Sequence, residues 1–151
     1  MPEETLLMVK PDAVGRGLTG RILARLEAEG FAIRRLKMVR LSPAEVRLFY
    51  AVHAGKPFLE RLVEYISSGP LCAVLLERED AIARLRQLAG ATDPAEAAPG
   101  TIRREFGLDK TRNAVHASDG PGTVAAEKAF FGLTLSRDAA PVGEGGGSRG
   151  A

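Results

Sequence analysis

Apolar residues along the chain alternate between two kinds of pattern. Residues 5–10 (TLLMVK) and 71–76 (LCAVLL) are almost unbroken apolar runs of strand length. Such runs read as strands covered on both faces, or at an edge as well as a face. Between them, Leu18, Ile22, Leu23 and Leu26 recur at helical spacing, and Gly30 is placed to close that helix. Residues 31–41 read as a second strand, with apolar positions at 31 and 33 and then at 36 and 38. That slip of phase predicts a bulge near Arg34 and Arg35. Ser42-Pro43-Ala44-Glu45 carries a cap, a proline at the first helical position and a glutamate that closes a capping box. The helix it opens is expected to run toward His53. Pro57 opens another, with Phe58, Leu59, Leu62, Val63 and Ile66 in register and Gly69 behind it. Residues 80–88 give a helix with Ile82, Leu85 and Leu88 on one face, followed by a Gly/Pro/Ala-rich loop over 90–100. A helical turn over 101–106, a short strand over 112–116 and a last helix opened by Gly120-Pro121 and running through Phe131 complete the pattern.

The predicted order is β-α-β-α-α-β-α-loop-β-α. It fits an α+β sandwich with helices packed on a four-stranded, mostly antiparallel sheet. A doubly wound parallel sheet is the structural alternative. One helical layer covers only one face, so self-association is the natural source of cover for the other.

Composition narrows the function classes. A chain of 151 residues with 45% hydrophobic content has room for one packed domain. A net charge of +2 does not suit a protein that coats nucleic acid or anionic membrane over its whole surface. One cysteine excludes an internal disulfide framework and a cysteine-based zinc cluster. With no Trp and 5% aromatics, broad base-stacking platforms are not expected. No stretch approaches the roughly 20 apolar residues of a membrane-spanning helix. The start, Met1-Pro2-Glu3-Glu4, lacks the features of a secretory signal, and a cytoplasmic location is expected. Composition changes near residue 133: residues 1–133 are expected to form the domain, and 134–151 a flexible Gly-rich C-terminal tail.

The chain has neither a G-x-x-x-x-G-K-[ST] loop nor a G-x-G-x-x-G after a strand. If phosphate is bound, side chains must hold it, and Lys10, Arg86, Thr92 and Arg103 are suitable donors. Taken singly, each reads as a solvated surface residue. His116 lies between a short strand and a helix start, with Ser118 and Asp119 after it and Glu127 on the helix behind. A histidine whose ring a carboxylate can hold is a nucleophile or base arrangement. The plainer reading is a histidine satisfied by local hydrogen bonds. His53, at a helix end, carries no assigned role.

Several dispersed motifs occur in one order: Val9-Lys10-Pro11-Asp12-Ala13-Val14, Gly17-Leu18, Gly30-Phe31, His53-Ala54-Gly55-Lys56-Pro57-Phe58 and Ser68-Gly69-Pro70, followed by Thr92-Asp93-Pro94, Pro99-Gly100-Thr101-Ile102-Arg103 and Asn113-Ala114-Val115-His116-Ala117-Ser118-Asp119. In these the chain resembles the nucleoside diphosphate kinase family over about residues 4–133. The resemblance implies a ferredoxin-like α+β sandwich and a ping-pong reaction. A nucleoside triphosphate such as ATP gives its γ-phosphate to a histidine, and a nucleoside diphosphate then takes it, which maintains NTP and dNTP pools. By the resemblance His116 is the phosphorylated residue, modified at Nδ1. Lys10, Arg86 and Arg103 are cationic phosphate ligands and Thr92 a hydroxyl ligand. Asn113 contacts the ribose and phosphate end, and Phe58 stacks on the base. Tyr50, Ser118 and Glu127 support the histidine. Mg²⁺ is expected to arrive on the nucleotide's phosphates, with no metal ligands from protein side chains. A homo-oligomer, tetramer or hexamer, is implied, and neither membrane nor specific nucleic acid is an expected partner.

Three positions depart from the family pattern: Ala117 where glycine is usual, Gly120 where serine is usual, and Asp93 in place of asparagine. If position 117 requires a positive φ, alanine there costs on the order of 1 kcal/mol. A nucleotide-binding regulator with the same fold and poor turnover is the alternative function. A ferredoxin-like nucleic-acid module is a third reading, but it needs aromatics on the central strands, where this chain has aliphatics.

Overall fold

A computed structural model describes residues 2–134. The expected tail lies, apart from residue 134, outside the described residues. Strands β1 (Glu3–Val9), β2 (Ala32–Val39), β3 (Leu71–Arg78) and β4 (Val115–Ala117) form one sheet in the order β2-β3-β1-β4. Every pairing is antiparallel, which rules out the doubly wound alternative. The predicted bulge is present as a register shift between Ile33 and Arg35.

The central strands are buried because helices of the same chain pack on both faces. Leu7, Val9, Cys72, Val74 and Leu76 face α1 (Pro11–Gly15), α2 (Thr19–Ala28), α5 (Ala81–Ala89) and α6 (Ile102–Phe106). Leu6, Met8, Leu71, Ala73 and Leu75 face α3 (Pro43–Phe49), α4 (Leu59–Ile66) and α7 (Pro121–Phe131). The expectation of a single helical layer is therefore corrected. The two-fold alternation of strand side chains feeds two cores, and β1 and β3 need no second molecule to cover them. The edge strand β2 is different: Leu36 and Met38 are 48% and 51% exposed.

Local signals set several boundaries. Ser42 and Glu45 form the predicted capping box: Glu45 N–H donates to Ser42 Oγ at 3.1 Å and Ser42 N–H to Glu45 Oε1 at 2.9 Å. The helix stops earlier than expected, at Phe49. Tyr50 ends it, and Ala51–His53 continue as one 3₁₀ turn. Pro11 does more than end β1, since it is the first residue of α1, where its missing N–H costs nothing. The last strand is Val115–Ala117 rather than 112–116, because Ala114 adopts φ +74° and turns the chain before it. Ala117 pairs with Leu7 inside that strand. Asp80 and Ala114 are the positive-φ residues other than glycine among the described residues, so the strain considered for position 117 does not arise. Gly120 is extended at φ −174° and leaves α7 without a side-chain cap, with Pro121 as its first residue.

Candidate active site

His116 sits at the middle of β4, opposite Met8 of β1. From α7, Glu127 reaches back to it: His116 Nε2 and Glu127 Oε2 are 2.7 Å apart. The other carboxylate oxygen accepts from Ser118 Oγ. An ionised carboxylate only accepts, so Nε2 carries a proton in this pair, and in the neutral ring the lone pair is then on Nδ1. Nδ1 has no hydrogen-bond partner among the described residues, and the side chain is 23% exposed. Two rings at the end of α3 fix the imidazole plane edge-on, Phe49 at 5.4 Å and Tyr50 at 6.1 Å between centroids.

The cations gather on the same end of the sheet. Lys10, the residue between β1 and α1, is buried and donates from Nζ to Asn113 Oδ1 at 2.7 Å. Asn113 Nδ2 donates in turn to the Thr92 carbonyl at 2.9 Å. Arg103 of α6 donates to the carbonyls of Gly90 at 2.7 Å and Val115 at 3.0 Å, which ties it to the strand that carries His116. Its Nε is buried without a partner, as is the Tyr50 hydroxyl. Burial, then the charge of Arg86, pulls Arg103 down to about 10. Burial, then Arg103, pulls Lys10 down to about 8, while Asp12 and Asp109 oppose the shift. Burial, then Glu127, pushes the Tyr50 hydroxyl up. Asp119 is lowered mainly by the hydrogen bond from Thr123, with Arg86 and His116 adding to it. These mutual effects put Lys10, Arg86, Arg103, Tyr50 and His116 in one electrostatic neighbourhood. Lys10 and Arg103 are cations held out of water and repelled by a neighbouring charge, while Arg86 on α5 is exposed, and such cations are at their lowest free energy with an anion among them.

The remaining predicted residues sit at the rim. Phe58 is 48% exposed, so it is not the helix-core residue that its place in the α4 stripe also allowed. Thr92 enters the network through its carbonyl, and its hydroxyl has no partner among the described residues. Sequence reasoning missed two aromatic groups. Phe49 packs on the His116 ring. His53 lies between Tyr50, with rings 6.1 Å apart and nearly parallel, and Phe58, edge-on at 5.2 Å. Burial first, then Lys56 and His116, lowers the His53 pKa. No periodicity marks His53, because it sits in a 3₁₀ turn; its only signal was its place in the motif that ends in Phe58. Among the described residues, no group of three or more His, Cys, Asp or Glu is arranged to hold a metal ion.

The family model for nucleoside diphosphate kinase matches residues 3–133. The chain belongs to the nucleoside diphosphate kinase family, a family of phosphotransferases. The nucleoside diphosphate kinase of Sorangium cellulosum is 49% identical over 129 residues, which are 85% of this chain and 90% of that protein. That of Aquifex aeolicus is 50% identical over 132 residues, covering 85% and 93% respectively. Among solved structures, the Aquifex aeolicus nucleoside diphosphate kinase superposes with a TM-score of 0.86 at 47% identity over 92% of this chain and 99% of its own. A halophilic nucleoside diphosphate kinase from Halobacterium salinarum, in complex with CDP, gives 0.85 at 42% identity over 92% and 96%. The family match, over residues 3–133, spans the sheet, both helical layers and the segment from Asn113 to Asp119.

Proposed function

We propose that this family member transfers the γ-phosphate of a nucleoside triphosphate, with ATP as donor, to a nucleoside diphosphate through a phosphohistidine on His116, and so maintains NTP and dNTP pools. The observation that carries the reading is the 2.7 Å His116–Glu127 contact, which gives the neutral ring a proton on Nε2 and a free lone pair on Nδ1. The Nδ1 lone pair attacks the γ-phosphorus, and the bond to the β-phosphate oxygen breaks as the diphosphate departs. Glu127 keeps the proton on Nε2 and stabilises the positive charge that develops on the ring. A terminal phosphate oxygen of the second nucleotide then attacks the same phosphorus, and the N–P bond breaks to restore the lone pair. Lys10, Arg86 and Arg103 hold the phosphate oxygens, which is most of what a loose phosphoryl transition state asks of a protein. The orphaned Arg103 Nε and Tyr50 hydroxyl gain partners when phosphate enters. Thr92 adds its hydroxyl and Asn113 meets the ribose end.

The half-exposed Phe58 stacks on the base, with Lys56 5.9 Å from its ring centre. Every base offers a π-face, so discrimination among bases is slight. A relative's complex with CDP agrees with a nucleoside diphosphate as ligand. Magnesium is part of the substrate, carried on the nucleotide phosphates. The catalytic domain ends near residue 133. The chain works as a tetramer or hexamer in the cytoplasm. Leu36 and Met38 on the outer edge of β2 supply an apolar surface for self-association. No described helix is long and apolar enough to cross a membrane.

Initial-rate kinetics with ATP and a second nucleoside diphosphate test the mechanism. A phosphoenzyme gives parallel double-reciprocal lines and ADP–ATP exchange without the second nucleotide. Intersecting lines with no exchange would exclude it.

A further inference from the structure

Asp12 of α1 has no role in phosphate binding, yet its side chain is only 3% exposed. Oδ1 accepts from the Tyr65 hydroxyl, and that hydroxyl also accepts from the Asp12 N–H at 2.7 Å. Oδ2 accepts from Arg16 at 3.1 Å and from the backbone N–H of Ala114 at 3.2 Å. Ala114 is fully buried at φ +74°, a conformation that disfavours any side chain with a Cβ. Its carbonyl accepts from the Lys10 N–H at 2.8 Å. Asn113 on one side of it holds the Lys10 ammonium. On the other side, the Val115 carbonyl holds Arg103, and His116 follows.

We propose that Asp12, oriented by Tyr65, is a positioning residue that holds the Asn113–Ala114 turn in its left-handed conformation and so sets the placement of Lys10, Arg103 and His116 relative to one another. The inference rests on the phosphohistidine reading. Both peptide groups of Ala114 are spoken for, its N–H by Asp12 and its C=O by Lys10. Without the carboxylate, the buried N–H loses its partner, and the disfavoured φ is left with only the short turn bond from the Val115 N–H to the Asn113 carbonyl, 2.9 Å, as a local restraint. The turn would then relax, carrying the partner of Lys10 and the acceptor of Arg103 away from the imidazole. Displacements of that kind, near 1 Å, cost about a hundredfold in rate where in-line geometry matters.

The test is a two-residue cycle read by the rate of His116 phosphorylation from saturating ATP in rapid-quench experiments. It is run at about pH 6.5, below the value of about 8 that Lys10 has in the parent protein. Asp12→Asn keeps the shape but leaves one oxygen where two oxygens accept from three donors, Tyr65, Arg16 and Ala114, and the rate should fall about tenfold or more. Glycine adopts positive φ without help, so Ala114→Gly in the Asp12→Asn background should recover most of that loss, to within about threefold of Ala114→Gly alone. A carboxylate that served only to stabilise the fold would give no such recovery, because the glycine restores none of its hydrogen bonds. Unchanged phosphorylation in Asp12→Asn, or a loss equally large with and without the glycine, overturns the proposal. If Asp12→Asn does not fold, the same cycle is run with Tyr65→Phe, which removes the hydroxyl that orients the carboxylate. Failure of the parent protein to phosphorylate would count against the phosphohistidine reading itself, and is thereby distinguished from failure of the Asp12 role.

Discussion

Burial and the neighbouring Arg103 hold the Lys10 ammonium down to about 8 in the folded protein, against 10.5 for a free lysine. In the nucleotide-free protein that charge is therefore present at pH 7 and lost as pH rises through 8. Bound phosphate favours the charged form and draws the value back up. Nucleoside diphosphate affinity should fall above about pH 8, and binding near that pH should take up a proton. Calorimetry in buffers of different ionisation enthalpy reads the uptake directly, and binding heats that do not depend on the buffer would contradict it. The same shift bears on stability with a definite sign. Between about 8 and 10.5 the unfolded chain holds more protons than the folded one, so this residue makes the fold more stable as pH rises across that window. Types and order of the site residues were legible in the sequence, since Lys10, Arg103, Asn113 and His116 all fall in dispersed motifs. Their partners were not. That Thr92 is held through its carbonyl, that Phe58 stands out of the core and that His53 bridges Tyr50 to it depend on where two turns place them.

At the scale of elements, what local chemistry decides was readable and what distant packing decides was not. The capping box at Ser42 and the bulge before Arg35 are written in neighbouring residues. The end of α3 at Phe49 is different: it turns there so that Phe49 and Tyr50 can both face His116. The start of β4 likewise depends on the contact between Asp12 and Ala114, about a hundred residues apart in the chain. Gly90 at the end of α5 couples an element boundary to the site. It has φ +86°, a Cβ there would lie 2.6 Å from the Thr101 side chain, and its carbonyl accepts from Arg103. Gly90→Ala should destabilise the protein by about 2 kcal/mol or more and raise the KM for nucleotide. Thermal denaturation and steady-state rates check both, and a variant with unchanged Tm would show that the Thr101 contact relaxes freely.

For the whole molecule, the apolar runs of β1 and β3 correctly implied burial on both faces, but not the source of the cover. Hydrophobic periodicity reports how deeply a strand is buried and is silent on which element buries it. Here α3, α4 and α7 supply the second layer, and Leu36 and Met38 of the edge strand β2 are among the apolar side chains that stay exposed. Under the proposed function, residues 1–133 carry both assembly and catalysis. A chain ending at Leu133 should sediment as the same oligomer as the full chain and keep its activity within about twofold. A smaller species, or a collapse of turnover, would show that residues 134–151 dock on the domain or on a neighbour.

The central claim is that His116 carries the phosphoryl group between two nucleotides. Incubation with γ-labelled ATP followed by quenching tests it most directly. The account predicts a label on the protein that is acid-labile and base-stable, absent from His116→Ala and transferred to GDP on its addition. A protein that takes up no label while turning over, or a His116→Ala variant that still converts GDP to GTP, would contradict it.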